Sequence, residues 1–314
     1  MRAMILAAGR GERLKPLSDV LPKPSVPVCN RPAIWYALDC LYQQGFRQVV
    51  INTFHLGDSI AQSLAPWTPS DMRVTYLREK TLLGTAGGLS NAKSALESDK
   101  GATIVVFNGK VVFFPDLSDA LAEHHARRAF ATMIIRPYPV ASGYGLVEVD
   151  RDGNVCRILG HPATDRVETT PYMFTGVHIL NSEAVKSLPD KGCVIRSGYL
   201  SWLSSGKHIH GYVTHAPWYE VSTIEGYYDA NMALLSRHIA WPKREIYDPC
   251  LAATAHVHAD AKLTRCVIGE RAHVAKVALE NCVVWPDVRV SHSVSDAILT
   301  PTAILRLSNV SPPR

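Results

Sequence analysis

The residues best suited to chemistry lie near the start of the chain, in Leu6-Ala7-Ala8-Gly9-Arg10-Gly11-Glu12-Arg13-Leu14-Lys15-Pro16-Leu17. An apolar, strand-like run ends there in two glycines. Glycine lets a backbone approach a triphosphate closely and turn its N–H groups toward it, and the Arg13 guanidinium can grip phosphate oxygens through two donors. A dinucleotide-binding turn would add a third glycine, an immediate helix and an acid about 20 residues on. Here Leu14 stands in the third position, and a long loop runs on to Leu21-Pro22-Lys23-Pro24-Ser25-Val26-Pro27-Val28. The prolines beside Lys23 stiffen that loop and aim the lysine back at the phosphates. The pattern predicts a nucleoside triphosphate or a nucleoside-diphosphate sugar as ligand.

Strands and helices alternate around these residues. Residues 3–8, 48–52, 73–77 and 103–107 read as strands, and 33–44, 57–64, 88–96 and 117–128 as helices. Such alternation predicts a mostly parallel sheet covered on both faces, with ligands in the crevice beyond the carboxyl ends of the strands. From 131 the pattern turns β-rich (131–136, 145–149, 155–159, 172–180), with helices over 195–204 and 224–238 and a linker at Trp241-Pro242-Lys243-Arg244. Beyond Asp248 a period of six appears, in which Val257, Leu263, Ile268, Val274, Val284, Val290, Ile298 and Ile304 are each followed, in most cases, by a small or β-branched residue four places on. That is the hexapeptide pattern of a left-handed β-helix. The expected organisation is an α/β Rossmann-like domain with a mixed, mostly parallel sheet over 1–240. A β-helix of about three coils follows over 248–314, capped by its last ten residues.

Composition narrows the classes. An apolar content of 47% against 19% charged describes a globular chain, and a net charge of +5 without a Lys/Arg stripe argues against nucleic acid as a partner. Seven scattered cysteines, never in a C-x-x-C pair, speak against a disulfide framework or zinc site. They predict buried, inert thiols in a reducing, cytoplasmic setting. No apolar stretch is long enough to span a bilayer, and the apolar start is broken at Gly9-Arg10. His124, His125, His208 and His210 lack metal-ligand spacing and read as solvated or capping residues, and His256, His258, His273 and His292 as coil-surface ones. An acyltransferase built on the β-helix would need a longer helix with trimeric clefts.

Several motifs together are similar to those of the sugar-1-phosphate nucleotidyltransferases (the NDP-sugar pyrophosphorylases), in particular the mannose-1-phosphate guanylyltransferase-like group that appends a β-helix. The first strand ends in L-A-A-G-R-G-E-R-L, and P-K-P-S-V-P-V follows. Glu79 and Leu83-Gly84-Thr85-Ala86-Gly87-Gly88 match the segment that reads base and sugar. Met173-Phe174-Thr175-Gly176-Val177-His178 matches a sugar-domain strand, and Trp218-Tyr219-Glu220-Val221-Ser222-Thr223 running to Ala230-Asn231 matches the closing segment. The resemblance implies nucleotide contacts from Leu6, Ala7, Ala8, Gly9, Gly11, Glu79, Gly84, Thr85, Ala86 and Asn108. It implies sugar-phosphate contacts from Gly145, His161, Thr175 and Gly176, and catalytic roles for Arg13 and Lys23.

It also implies Mg²⁺, and there the chain departs from the pattern. The metal-ligating Asp of N-G-D is Lys110 in Asn108-Gly109-Lys110, the second ligand is Glu220, and the sugar-phosphate lysine falls at His161. A lysine removes an oxygen ligand and repels the cation, and Mg²⁺ demands near-octahedral geometry. Two readings result. One is transfer of a nucleotidyl group from a GTP- or UTP-type triphosphate to a sugar 1-phosphate, with release of pyrophosphate. The other is an NDP-sugar-binding regulatory subunit with a degenerate metal site. Exposed β-helix coils further predict a homo-oligomer.

Overall fold

The computed structural model describes residues 2–54, 56–96, 102–138, 144–162 and 168–307. Four aliphatic runs pair in parallel: Arg2–Leu6 (β1), Gln48–Thr53 (β2), Arg73–Arg78 (β3) and Thr103–Asn108 (β4), in the order β4-β1-β2-β3. Met4 is aligned with Val50 on one side and Val106 on the other. Ala3, Met4 and Ile5 are wholly buried, as a central parallel strand covered on both faces requires. Ala131–Pro137 (β5), Leu146–Val149 (β6), Val155–Ile158 (β7), Thr170–Asn181 (β8) and Ile209–Val213 (β9) extend this sheet to nine strands. The long β8 runs antiparallel to β4, β5 and β6, so the sheet is mixed.

Several element boundaries differ from the sequence reading, and the helix expected over 224–238 ends at Leu235. β1 stops at Leu6, two residues short of the expected end. The helix expected over 88–96 is Gly84–Asn91, followed by a separate turn at Lys93–Leu96. Its first turn is thus formed by the glycine-rich residues that sequence alone reads as loop. The segment over 195–204 is likewise compound, a wide π-helical turn at Val194–Tyr199 running into Leu200–Ser204.

The chain divides into two compact units, Met1–Arg10 with Ile34–Trp218, and Gly11–Ala33 with Tyr219–Arg314. The first holds the nine-stranded sheet. In the second, helix Ile224–Leu235, capped by Thr223 through Gly226 N, keeps company with a stack of parallel coils. Lys262–Ile268 (β10), Ala278–Val284 (β11) and Val294–Leu299 (β12) lie rung upon rung, with Cys266 over Cys282 over Ala297 and Ile268 over Val284 over Leu299. Shorter rungs at His256–Val257, His273–Val274 and Arg289–Val290 form a second parallel face. Such coil-on-coil pairing is what a β-helix requires.

The advance per coil is 15–17 residues, as in Cys282 with Ala297 and Cys250 with Val267. That is shorter than the roughly 18 of three full hexapeptides. Within β10, β11 and β12, Arg265, Asn281 and Asp296 repeat one left-handed backbone position coil after coil. Ile304–Arg306 folds back antiparallel on β12 and ends the stack, while 308–314, the rest of the expected cap, lie outside the described residues. The expected linker is not loose. Trp241 is 3% exposed, because a large indole gains by leaving water.

Candidate nucleotide-binding site

In the first unit the expected ligand residues gather at the carboxyl ends of the parallel strands. Leu6 closes β1, and Gly9 stands exposed, with nothing near the place a Cβ would occupy. The Ala7 amide donates to Asn52 Oδ1 at 2.9 Å, Asn52 Nδ2 donates to Glu79 Oε1 at 2.7 Å, and Glu79 Oε2 accepts from the Leu83 amide at 3.0 Å. Glu79 is only 3% exposed and spends both oxygens on the protein, so it supports the glycine-rich segment from beneath.

That segment is tied on its other side as well. Ala86 N donates to Gly192 O at 2.9 Å, Gly192 N donates to Leu83 O at 2.8 Å, and Thr85 Oγ1 accepts from Val194 N at 2.8 Å. Gly84 has φ +75, and a Cβ there would collide with the Gly192 carbonyl, so the close approach demands glycine.

Asn108 and Gly176 also meet. Gly176 sits where the β8–β5 register slips, with φ +84, and a Cβ would overlap the Asn108 amide. Next to it Thr175 is buried, its hydroxyl donating to Ile134 O at 2.7 Å and its carbonyl accepting from Trp218 Nε1 at 2.8 Å. Tyr144, beside Gly145, packs edge-on against Trp218 at 5.3 Å. His161 lies apart, exposed at the end of the β6–β7 hairpin, where its backbone pairs with Ile158. Lys110 is half-buried in the turn after β4.

In the second unit, Gly11, Lys23 and Ser222 form a group of their own. Lys23 Nζ donates to the buried Ser222 hydroxyl at 2.7 Å. Gly11, with φ +74, leaves room for it: an added Cβ would sit 3.0 Å from Lys23 Cβ. Arg13 is exposed on the short turn Glu12–Leu14, and Glu220 is half-buried on Trp218–Glu220. The Lys23 loop continues into a hairpin, Pro27–Val28 against Arg31–Pro32, whose tip residues Cys29 and Asn30 both have positive φ. Cys29 N donates to Asn231 Oδ1 at 2.8 Å, and Asn30 Nδ2 donates to Cys250 O and Ile268 O at 3.1 and 3.0 Å.

Two histidines differ from the sequence reading. His124 and His210 are buried rather than solvated, bonded to Thr132 Oγ1 and to Gly153 O with Glu123 Oε2. Burial, reinforced by neighbouring histidines, pulls His124 down to about 4. Burial alone pulls His178, bonded to the Tyr199 hydroxyl at 2.9 Å, to about 3. The cysteines are all free thiols, but they are not uniformly buried, since Cys193 is exposed.

The donor set does not fit the Mg²⁺ site that the resemblance implies. Lys110 offers an ammonium, which has no lone pair to give, in place of a carboxylate. Among the described residues no group of three or more His, Cys, Asp or Glu side chains is arranged to hold a metal ion. No helix among them is long and apolar enough to cross a membrane.

Residues 2–237 match the family model described as nucleotidyl transferase. The chain belongs to this family. It is 29% identical over 252 residues to a UTP–glucose-1-phosphate uridylyltransferase of Synechocystis, an alignment covering 76% of this chain and 64% of the relative. It is 26% identical over 231 residues to a mannose-1-phosphate guanylyltransferase of Mycobacterium tuberculosis, covering 72% and 62%. The chain thus spans somewhat under two thirds of the length of these family members. Among solved structures, HddC from Yersinia pseudotuberculosis complexed with GMP-PN superposes with TM-score 0.60 at 24% identity, over 73% of this chain and 97% of that one, and so shares the fold. Sequence reasoning missed Asn52. Its signal is a single amide closing the otherwise apolar run Val49-Val50-Ile51.

Proposed function

We propose that the chain transfers a nucleotidyl group from a nucleoside triphosphate to a sugar 1-phosphate. A phosphate oxygen of the sugar 1-phosphate attacks the α-phosphorus in line, the bond to the β-phosphate oxygen breaks, and pyrophosphate leaves. This chemistry needs no general base. It needs alignment of two anions and neutralisation of the charge that develops between them. The observation that carries the reading is the linkage of the Ala7–Gly9 turn, through buried Asn52 and Glu79, to Leu83 at the start of the glycine-rich helix Gly84–Asn91, both at the carboxyl ends of parallel strands.

The positive charge is assigned to Arg13, Lys23 and Lys110, and the sugar-phosphate side to Gly145, His161, Thr175 and Gly176. Lys110 would take over part of the neutralisation that a metal provides elsewhere. That both relatives are named for transferase activities supports turnover over a binding-only role. Those names, and the GMP-PN complex of the fold neighbour, favour a GTP- or UTP-type substrate. The test is pyrophosphate release across the four nucleoside triphosphates with glucose, mannose and amino-sugar 1-phosphates, with and without Mg²⁺. Pyrophosphate release that requires both substrates is expected. Nucleotide binding without release under any combination would refute transfer.

A further inference from the structure

The hydrogen bonds linking Ala7, Asn52, Glu79 and Leu83 converge on the Glu79 carboxylate. The Ala7 amide donates to Asn52, Asn52 donates to Glu79, and Glu79 also accepts from the Leu83 amide. Only a side chain with one acceptor and one donor can stand at 52, and only one with two acceptors at 79. Both are buried, at 2% and 3% exposure, so water does not relieve a mismatch. Space for the pair comes from Gly88, where an added Cβ would lie 2.6 Å from Asn52 Nδ2 and 3.1 Å from Glu79 Oε1. On its far side the Leu83–Ala86 segment is held by the Gly192 backbone. The Asn52–Glu79 pair is its side-chain tether toward the end of β1.

We propose that Asn52 and Glu79 are positioning residues that set the separation of the Ala7–Gly9 turn and the Leu83–Ala86 helix start, and thereby the affinity for the nucleotide. The inference rests on the reading of these two segments as a nucleotide site. It assigns Glu79 no direct contact with the base. Its particular consequence is that polarity can be exchanged across the pair. Asn52→Asp alone sets two carboxyl groups against each other. Glu79→Gln alone leaves one oxygen to meet two donors. In the double variant every bond re-forms: Asp at 52 accepts from Ala7 and from the glutamine amide, and the glutamine oxygen accepts from Leu83.

The experiment is calorimetric titration of GTP and UTP into wild type, Asn52→Asp, Glu79→Gln and the double variant, with thermal midpoints measured alongside. Each single variant should raise Kd about tenfold or more, and the double variant should return it to within about threefold of wild type. Where the reaction is assayed, the loss should fall on KM for the triphosphate rather than on kcat. A double variant no better than the worse single overturns the pairing. Single variants that lower the thermal midpoint but leave Kd unchanged show the pair to be merely structural and overturn it too. If a single variant fails to fold, Gly88→Ala, whose methyl would press on Asn52 Nδ2, carries the test, and an unchanged Kd for it refutes the proposal. Absence of triphosphate binding by the wild type would instead fell the functional reading, and the proposed role with it.

Discussion

Asn231 offers a direct measure of what holds the Lys23 hairpin in place. It is wholly buried in helix Ile224–Leu235, with its oxygen accepting from Cys29 N at 2.8 Å and its amide donating to Tyr227 O at 2.8 Å. Cys29 is 3% exposed and has φ 43, so its N–H has no water to turn to and a strained backbone behind it. Asn231→Ala orphans that donor, which costs about 1–3 kcal/mol, and opens a small void worth about 1 kcal/mol more. A loss of roughly 2–4 kcal/mol is expected from urea denaturation with an unchanged m-value. Asn231→Asp keeps an acceptor for Cys29 but buries a carboxylate whose second oxygen faces the Tyr227 carbonyl, so it should lose at least as much. A midpoint for Asn231→Ala within about 0.5 kcal/mol of wild type would refute the view that this asparagine secures the hairpin.

A chain ended at residue 247 should fail to hold the Lys23 hairpin and should precipitate. It loses Trp285, 1% exposed and bonded through Nε1 to Tyr227 OH at 2.9 Å, and with it the Ile268 and Cys250 carbonyls that receive Asn30; light scattering and limited proteolysis decide it. Trp285→Ala alone should cost about 3–5 kcal/mol by denaturation. Acid should weaken the fold early, because His124, His178 and His210 all have pKa values below the ordinary histidine range in the folded state. The unfolded chain then binds more protons, so the stability is full above pH ~6.5 and drains as pH falls toward 4 and 3, with a shallower slope expected in His178→Gln. Lys110→Asp should make pyrophosphate release more dependent on Mg²⁺, since an ammonium gives way to an oxygen ligand; identical metal titrations of the two proteins would show that residue 110 takes no part.

Much of this protein is written locally. Aliphatic runs of five or six residues separated by helical periods suffice to predict β1 to β4 and their parallel pairing, because period and composition carry the information. The glycines at 9, 11 and 84 announce backbone approach for the same reason: at Gly11 and Gly84 the observed φ is one that only glycine adopts without cost. The recurrence of six beyond Asp248 likewise foretells stacked coils. Its exact spacing does not follow: the coils advance by 15–17 residues and repeat a left-handed position at Arg265, Asn281 and Asp296, which the apolar period does not mark.

What only the tertiary structure decided concerns partners distant in sequence. Glu79 reads in the sequence as a ligand-facing acid, yet its oxygens are taken by Asn52, 27 residues before it, and by Leu83. Lys23 finds its hydroxyl in Ser222, 199 residues on, and Cys29 its acceptor in Asn231, 202 residues on. His124 and His210 look like surface residues in the sequence, yet both are buried in the fold. Local pattern encodes which face of an element is apolar, and so which elements exist. A buried polar group must instead be satisfied by whatever donor or acceptor the packing delivers, and that pairing is a property of the assembled fold.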